Sequence, residues 1–194
     1  MSSQAKAKRI LKAVREVLIQ SGYAGTTISQ VTAAAGVSRG LLHYYFKNKE
    51  EMLALVVRET VASSVELAHL VFSESQSADE LAAKLAVALR QFLRNDPHFY
   101  NLFFESLAIA RQSASIHQEL QSLYARFRLA VREELDQAQA RKIIAPHIPA
   151  KDLALLLTGL IDGLGLQLMH EPDLLDDAGL WKSIEEGIGQ LLAP

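Results

Sequence analysis

The sequence predicts an all-α protein of nine helices, a small basic N-terminal domain fused to a helical bundle. Three observations carry that prediction. Apolar residues recur at helical spacing through almost every segment, and the alternation that marks strands is absent. Capping signatures stand where helices should start: Thr27 with Gln30, Asn48 with Glu51, Ser77 with Glu80 and Ser115 with Gln118. Breakers separate the helical stretches, at Gly22, Gly36, Asp96-Pro97, Pro146 and Pro149.

The first helix carries Ile10, Leu11, Val14, Val17 and Leu18 on one face and ends near Gly22. Thr27 opens a second helix and Gly36 ends it, since glycine takes a positive φ at little cost. Ser38 caps a short third helix. Asn48 starts a long fourth helix, which runs to about Glu74, and Ser77 starts a fifth, to about Asn95. Asp96-Pro97 reads as an N-cap followed by proline at the first helical position, which places a sixth helix over about 97 to 111. Ser115 opens the seventh, to about Ala140. The eighth covers about 150 to 170 and the ninth about 177 to 192. The expected division is residues 1–48 and residues 49–194, with no repeats, low-complexity segments or long linkers.

Composition narrows the function. The chain has 194 residues and is 49% hydrophobic, ample for a buried core. Its net charge is −2, but residues 1–58 hold nine basic side chains against three acidic ones, so this segment is +6 and the remainder −8. Such asymmetry points to a polyanionic partner at one end only. With no cysteine, disulfides, thiolate catalysis and thiolate metal sites are excluded. Met1 to Gln20 is charged and amphipathic, unlike a secretory leader. Leu153 to Met169 is the most apolar stretch, yet it is short for a membrane span and has Asp162 at its centre, where an acid costs roughly 2.5–3.5 kcal/mol on insertion scales. A buried helix and a cytoplasmic protein are the expectation.

Residues 22–53 carry the sharpest signal: two short helices joined by a glycine turn, then Tyr44, Tyr45 and Phe46, then a new helix start. That is the layout of a helix-turn-helix, which sets its second helix in the major groove with the N-terminal residues nearest the bases. Ala33, Ala34 and Ala35 are small enough for close helix approach, and Val37 is expected to pack inward. Ser38 and Arg39 stand at a helix N-terminus, where backbone N–H groups favour phosphate. Lys47 and Lys49 flank the next helix start. Tyr44 and Tyr45 have polar tips suited to phosphate. Tyr45 and His43 serve either as packing residues or as contacts, and Lys6, Lys8, Arg9 and Lys12 form either a solvated face or phosphate contacts. The DNA-binding candidates are Thr27, Ser38, Arg39, Gly40, Leu41, His43, Tyr44, Tyr45, Lys47 and Lys49.

These residues resemble the tetracycline-repressor (TetR) family of bacterial transcriptional regulators. The resemblance rests on Gly22, Thr26-Thr27, Ile28, Ala-Gly-Val-Ser at 35–38, Gly40, Tyr44, Phe46, Lys47, Lys49 and Glu50-Glu51. Leu41-Leu42 and Ile161-Asp162-Gly163-Leu164 are similar to the betaine-regulator (BetI-like) branch. Leu41 and His43 depart from the commoner Thr or Ser and Tyr. Leu41 has no hydrogen bond to offer a base, only a methyl contact, so the operator sequence does not carry over.

The resemblance implies a regulator, mostly a repressor, that binds a palindromic double-stranded operator as a homodimer and is released by a small molecule through movement of the fourth helix. It also implies a ligand cavity where seven of the thirteen aromatics fall, at Phe92, Phe99, Tyr100, Phe103, Phe104, Tyr124 and Phe127. Phe72 joins that set as a pocket candidate, and His69, Glu105, Arg111, His117 and Gln167 are the polar candidates for orienting a ligand. An aromatic lining suits an apolar or aromatic effector, and Glu105 leaves a cationic one open. In the family the last two helices pair with their partner copies. That role falls on Leu156, Gly159, Leu160, Gly163 and Leu164, with Trp181 and Ile188 on the ninth helix; Trp181 suits core or interface equally.

Two rivals remain. Glu66-Leu67-Ala68-His69 is the Glu-x-x-His unit of metal-binding helical bundles, but no other histidine has a glutamate three residues before it. A dimeric adaptor with a vestigial head would not need Arg39 or the tyrosines. No Ser-His-Asp arrangement or glycine-rich phosphate loop is evident, so no enzyme activity, metal, cofactor or membrane partner is expected.

Overall fold

The computed structural model describes residues 3–193. Among them are nine α-helices and no strand: α1 (Ser3–Gly25), α2 (Ile28–Ala35), α3 (Arg39–Tyr45), α4 (Lys49–Glu74), α5 (Ala78–Asn95), α6 (Phe99–Ala110), α7 (Ala114–Ala140), α8 (Ala150–His170) and α9 (Ala178–Leu192). A short 3-10 turn at Pro172–Asp176 precedes α9. The helices form two compact units. One comprises the residues up to Thr60 with Asn101–Gln121, the other Val61–Tyr100 with the residues from Ser122 on. Each of α4, α6 and α7 contributes residues to both.

In the first unit, α1 packs on α2 and α2 on α3. Ile10, Val14, Val17, Leu18, Val31, Leu42, Met52 and Leu53 are buried, and so are Leu102, Phe103, Ile116 and Leu120. Gly22, at φ 63° and ψ 173°, breaks α1 just where the sequence places its end; this is a region essentially reserved for glycine. The Thr27–Gln30 capping box forms in full, each side chain bonding the other's backbone N–H, an arrangement that stabilises a helix start by about 1 kcal/mol. Gly36 ends α2 in the left-handed conformation (φ 58°, ψ 43°). Asn48 caps α4 by accepting from Glu51 N at 2.9 Å, while Glu51 reaches back to Lys47 N at 2.8 Å.

In the second unit, α5 packs along α9. Leu81, Ala86, Leu89 and Leu93 face inward from α5, and Trp181, Ile184, Ile188 and Leu192 from α9. The Arg90 guanidinium stacks on Trp181, 5.6 Å from the ring centre. The C-terminal carbonyls of α4 are capped by cations: Arg141 donates to Phe72 O at 2.7 Å and Ser73 O at 3.3 Å, and Lys84 to Glu74 O at 3.1 Å. Positive charge there also favours the helix dipole.

Two helix starts differ from expectation. Asp96 closes α5 instead of opening the next helix, its N–H bonding Phe92 O. Pro97 and His98 form a turn, and α6 begins at Phe99. The side chain capping α7 is Ser113, which accepts from Ile116 N at 3.4 Å, because Ser115 already lies in the first turn and donates to Glu50.

Candidate nucleic-acid interface and sensor region

The α2–turn–α3 corner is built from local bonds. Gly36 N donates to Ala33 O and Val37 N to Thr32 O, at 3.2 and 3.1 Å. Val37 is half-buried, and of the three alanines only Ala35 faces inward. Ser38 spends its hydroxyl on the cap, accepting from Leu41 N at 3.2 Å. Leu42 is fully buried and fixes the rotation of α3, with Leu41 half-buried beside it. The opposite face is Arg39, Gly40, His43 and Tyr44, all exposed. A Cβ at Gly40 would meet nothing within 4 Å, so nothing inside the chain demands glycine there.

Tyr44 is 83% exposed, its ring held edge-on against half-buried Tyr45 at 5.5 Å. Arg39 Nη2 donates to Ser29 Oγ at 2.6 Å, which pins the guanidinium along the same surface. Lys47 is exposed. Lys49 points elsewhere. Its ammonium donates to Tyr23 O at 3.0 Å and Ala24 O at 3.2 Å, and sits 4.5 Å from the centre of the Tyr23 ring. Thr27 likewise spends its hydroxyl on Gln30. On α1, Lys6, Lys8 and Lys12 are exposed, and Arg9 donates to Gly36 O at 3.4 Å.

The candidate sensor residues divide between the units. In the first, Phe103 is buried with Phe104 edge-on at 5.9 Å, while Arg111 and His117 are exposed. Glu105 Oε1 accepts from Tyr23 N at 2.7 Å, so this carboxylate has a backbone partner. The same unit holds an open cleft of about 400 Å³ lined by Tyr45, Phe46, Leu55, Arg58, Ile116 and Glu119, none of them a sensor candidate.

In the second unit, Phe92, Phe99 and Tyr100 form a mutually edge-on cluster, with ring centres 5.1 to 6.4 Å apart. Phe72 is buried and Phe127 half-buried. His69 is mostly exposed and bonds Glu134 at 2.6 Å through Nδ1, and Gln167 is exposed. Tyr124 Oη donates to Asp162 Oδ2 at 2.8 Å, and Tyr100 Oη to Ile161 O at 3.1 Å. Burial first, and Asp162 second, push both phenols far above the ordinary tyrosine range. Burial raises the Asp162 carboxyl as well, and the Tyr124 hydrogen bond pulls it part of the way back. Asp162 and Tyr100 are absent from the predicted polar set. The available signal for Asp162 is a lone acid inside an apolar helix, which marks a buried polar group as readily as it argues against a membrane span.

By length and composition α8 is apolar enough to cross a membrane. Here Leu153, Ala154, Leu157, Thr158 and Leu168 are buried, and Leu155, Leu156 and Leu166 remain 56%, 48% and 41% exposed. Gly159 and Gly163 lie beside them with open space where a Cβ would stand, and Leu160 and Leu164 are half-buried. Trp181 and Ile188 sit in the α5–α9 core, 6% and 4% exposed, and have almost no surface to offer a second chain. Among the described residues no three His, Asp or Glu side chains are grouped to hold a metal.

Residues 10–56 match the family model for bacterial regulatory proteins of the tetR family, and residues 78–193 that for the C-terminal region of BetI-type transcriptional repressors. The HTH-type transcriptional repressor AcnR of Corynebacterium diphtheriae is 28% identical over 107 residues, which is 50% of this chain and 55% of that protein. The fatty acid metabolism regulator of Bacillus subtilis is 30% identical over 108 residues, covering 56% of this chain and 54% of its own. The chain thus spans about half the length of these curated relatives. Among solved structures, the transcriptional regulator FadR of Bacillus subtilis in complex with stearoyl-CoA has a TM-score of 0.76 at 20% identity, over 94% of this chain and 97% of that one. That likeness is one of fold.

Proposed function

The chain belongs to the TetR family of bacterial regulatory proteins, with a BetI-type C-terminal region, and on that premise we propose a homodimeric repressor released from a palindromic operator by a small-molecule effector. As a member it is a transcriptional regulator with a helix-turn-helix DNA-binding domain. The observation that carries the finer reading is the outward face of α3. Arg39, Gly40, His43 and the almost fully exposed ring of Tyr44 follow a glycine turn, held in place by a buried Leu42. We assign direct DNA contact to these residues with Leu41, Tyr45, Lys47 and the helix start at Ser38.

Two heads about 34–36 Å apart read successive major grooves. The face we assign to pairing is Leu155, Leu156, Gly159, Gly163 and Leu166 on α8, where exposed leucines flank glycines that allow close helix approach. Effector binding is assigned to the second unit, around Phe72, Phe92, Phe99, Tyr124 and Phe127. An apolar effector fits that lining and accords with the acyl-CoA bound to the FadR of similar fold. Effector and operator then oppose each other through a two-state shift of α4, a helix shared by both units. A cytoplasmic location follows from this role, and no catalytic chemistry is called for.

Selection of bound DNA from a random pool tests the reading. A palindromic consensus is the expected result, and a pool that shows no enriched sequence would overturn it.

A further inference from the structure

The backbone of Tyr23 is gripped from both sides. Its N–H donates to Glu105 Oε1 of α6 at 2.7 Å, and its carbonyl accepts from Lys49 Nζ of α4 at 3.0 Å. Tyr23 lies in the last turn of α1, which serves as the link to α2. It follows Gly22, whose φ of 63° breaks the helix. Three residues on, buried Thr26 ties back to Gly22 O through its hydroxyl at 2.7 Å, and Thr27 caps α2. The link therefore sets where α2 starts, and α3 packs on α2.

Glu105 is half-buried, and its acceptor oxygen is aimed at one backbone donor. The Tyr23 amide is half-buried with it, and an amide shielded from water that loses its acceptor costs more than the net gain of an ordinary hydrogen bond. Farther along, Glu50 of α4 accepts from both Ser113 and Ser115 at the start of α7, at 2.7 and 2.9 Å, and Arg58 meets Glu119 at 2.9 Å. Residues 101–121 thus hold the reading head by side chains that bond its backbone and flank, and contribute to its compact unit.

We propose that Glu105 is a positioning residue for DNA reading: by holding the Tyr23 N–H against the Lys49 clamp, it fixes the α2–α3 corner, and through it α6 reports its position to the recognition helix. This rests on the DNA-reading function above and assigns Glu105 to the head instead of the effector. Lys49 shares the task and is a clamp, not a phosphate contact.

The test uses the full chain, the DNA selected by the wild type, and anisotropy titrations across a salt series. Glu105→Ala should weaken binding about tenfold, the scale of one charge-assisted hydrogen bond, with the salt slope unchanged because no phosphate contact is lost. Glu105→Gln, which keeps an acceptor oxygen, should bind within about twofold of the wild type. Lys49→Met should weaken binding and leave the slope unchanged, whereas loss of a phosphate contact lowers it by about one. In hydrogen exchange, the Tyr23 amide should lose protection in Glu105→Ala and keep it in Glu105→Gln. Wild-type affinity in Glu105→Ala, equal loss in Glu105→Gln, or an unaltered Tyr23 amide would each overturn the proposal. A wild type that prefers no sequence would instead overturn the function on which it rests.

Discussion

The ring of Tyr100 occupies the space where a side chain at position 165 would begin. A Cβ on Gly165 would stand 2.1 Å from Tyr100 Cζ and 2.2 Å from Cε2, while the phenol donates to Ile161 O one turn earlier on α8. The hydroxyl end of the ring is therefore held against α8, and the rigid ring cannot bend away from an added methyl. Gly165→Ala should lower stability by about 1–3 kcal/mol, as overpacking of a well-filled core does. Unfolding followed by the fluorescence of Trp181, the sole tryptophan, reads this directly. A companion Tyr100→Leu change should recover part of the loss, and no recovery would argue against the clash.

Asp162 should make stability depend on pH. Its carboxyl is held above the usual carboxylate range by burial. Between the unfolded and the folded pKa the folded chain binds the proton more tightly, so stability falls as pH rises through that window, and the deficit persists at neutral pH. Asp162→Asn keeps an acceptor for the Tyr124 hydroxyl and removes the ionisation. Its melting temperature should exceed that of the wild type at pH 7, with the difference closing as pH falls towards about 4, the ordinary Asp value. A difference that does not vary with pH would assign the effect to something other than this proton.

Arg39 and Tyr44 should affect DNA affinity without affecting stability, because neither is buried. Arg39→Ala should weaken operator binding about tenfold or more, the range of a lost bidentate or phosphate contact. Tyr44→Phe should weaken it less, by removing one hydroxyl. Gel shifts with matched melting curves separate the two effects, and full affinity in both variants would remove α3's outward face from the interface.

Leu156→Asp should yield monomers. The residue is about half exposed on a leucine and glycine face, so a charge there costs the single chain little but is costly in an apolar interface. Analytical ultracentrifugation should show a loss of dimer with helical content intact. Trp181→Ala should do the opposite, unfolding the α5–α9 packing before it alters association. A Leu156→Asp variant still dimeric at micromolar concentration would move the interface elsewhere.

Local chemistry was legible in the sequence, and distant partners were not. Thr27, Asn48 and Ser77 cap residues three positions away, and Gly36 has its φ dictated by its own turn, so all four can be read along the chain. Ser115 misleads because the deciding partner is Glu50, 65 residues earlier, leaving the cap to Ser113. Glu105 hides its partner as well, since the Tyr23 N–H from which it accepts lies 82 residues away and no sequence pattern marks it. Trp181 and Ile188 have the spacing of an apolar face. Spacing does not say whether that face meets the same chain or a second copy, and here it meets α5. Glu66-x-x-His69 likewise says nothing of Glu134 of α7, which the His69 ring bonds 65 residues away.

The first compact unit is assembled from two separated stretches, the residues up to Thr60 and then Asn101–Gln121. As the chain leaves the ribosome, α1 to α3 can gather early, because their caps and turns close over a few residues. The buried side chains of the second stretch, Leu102, Phe103, Ile116 and Leu120, emerge only after forty further residues have been made. At typical synthesis rates of about 5–20 residues per second, this leaves the unit without any of that second part of its core for roughly 2–8 seconds. A nascent head is therefore unfinished while it is young, and a fragment cut after Thr60 would keep the reading helix but lack part of the core that steadies it.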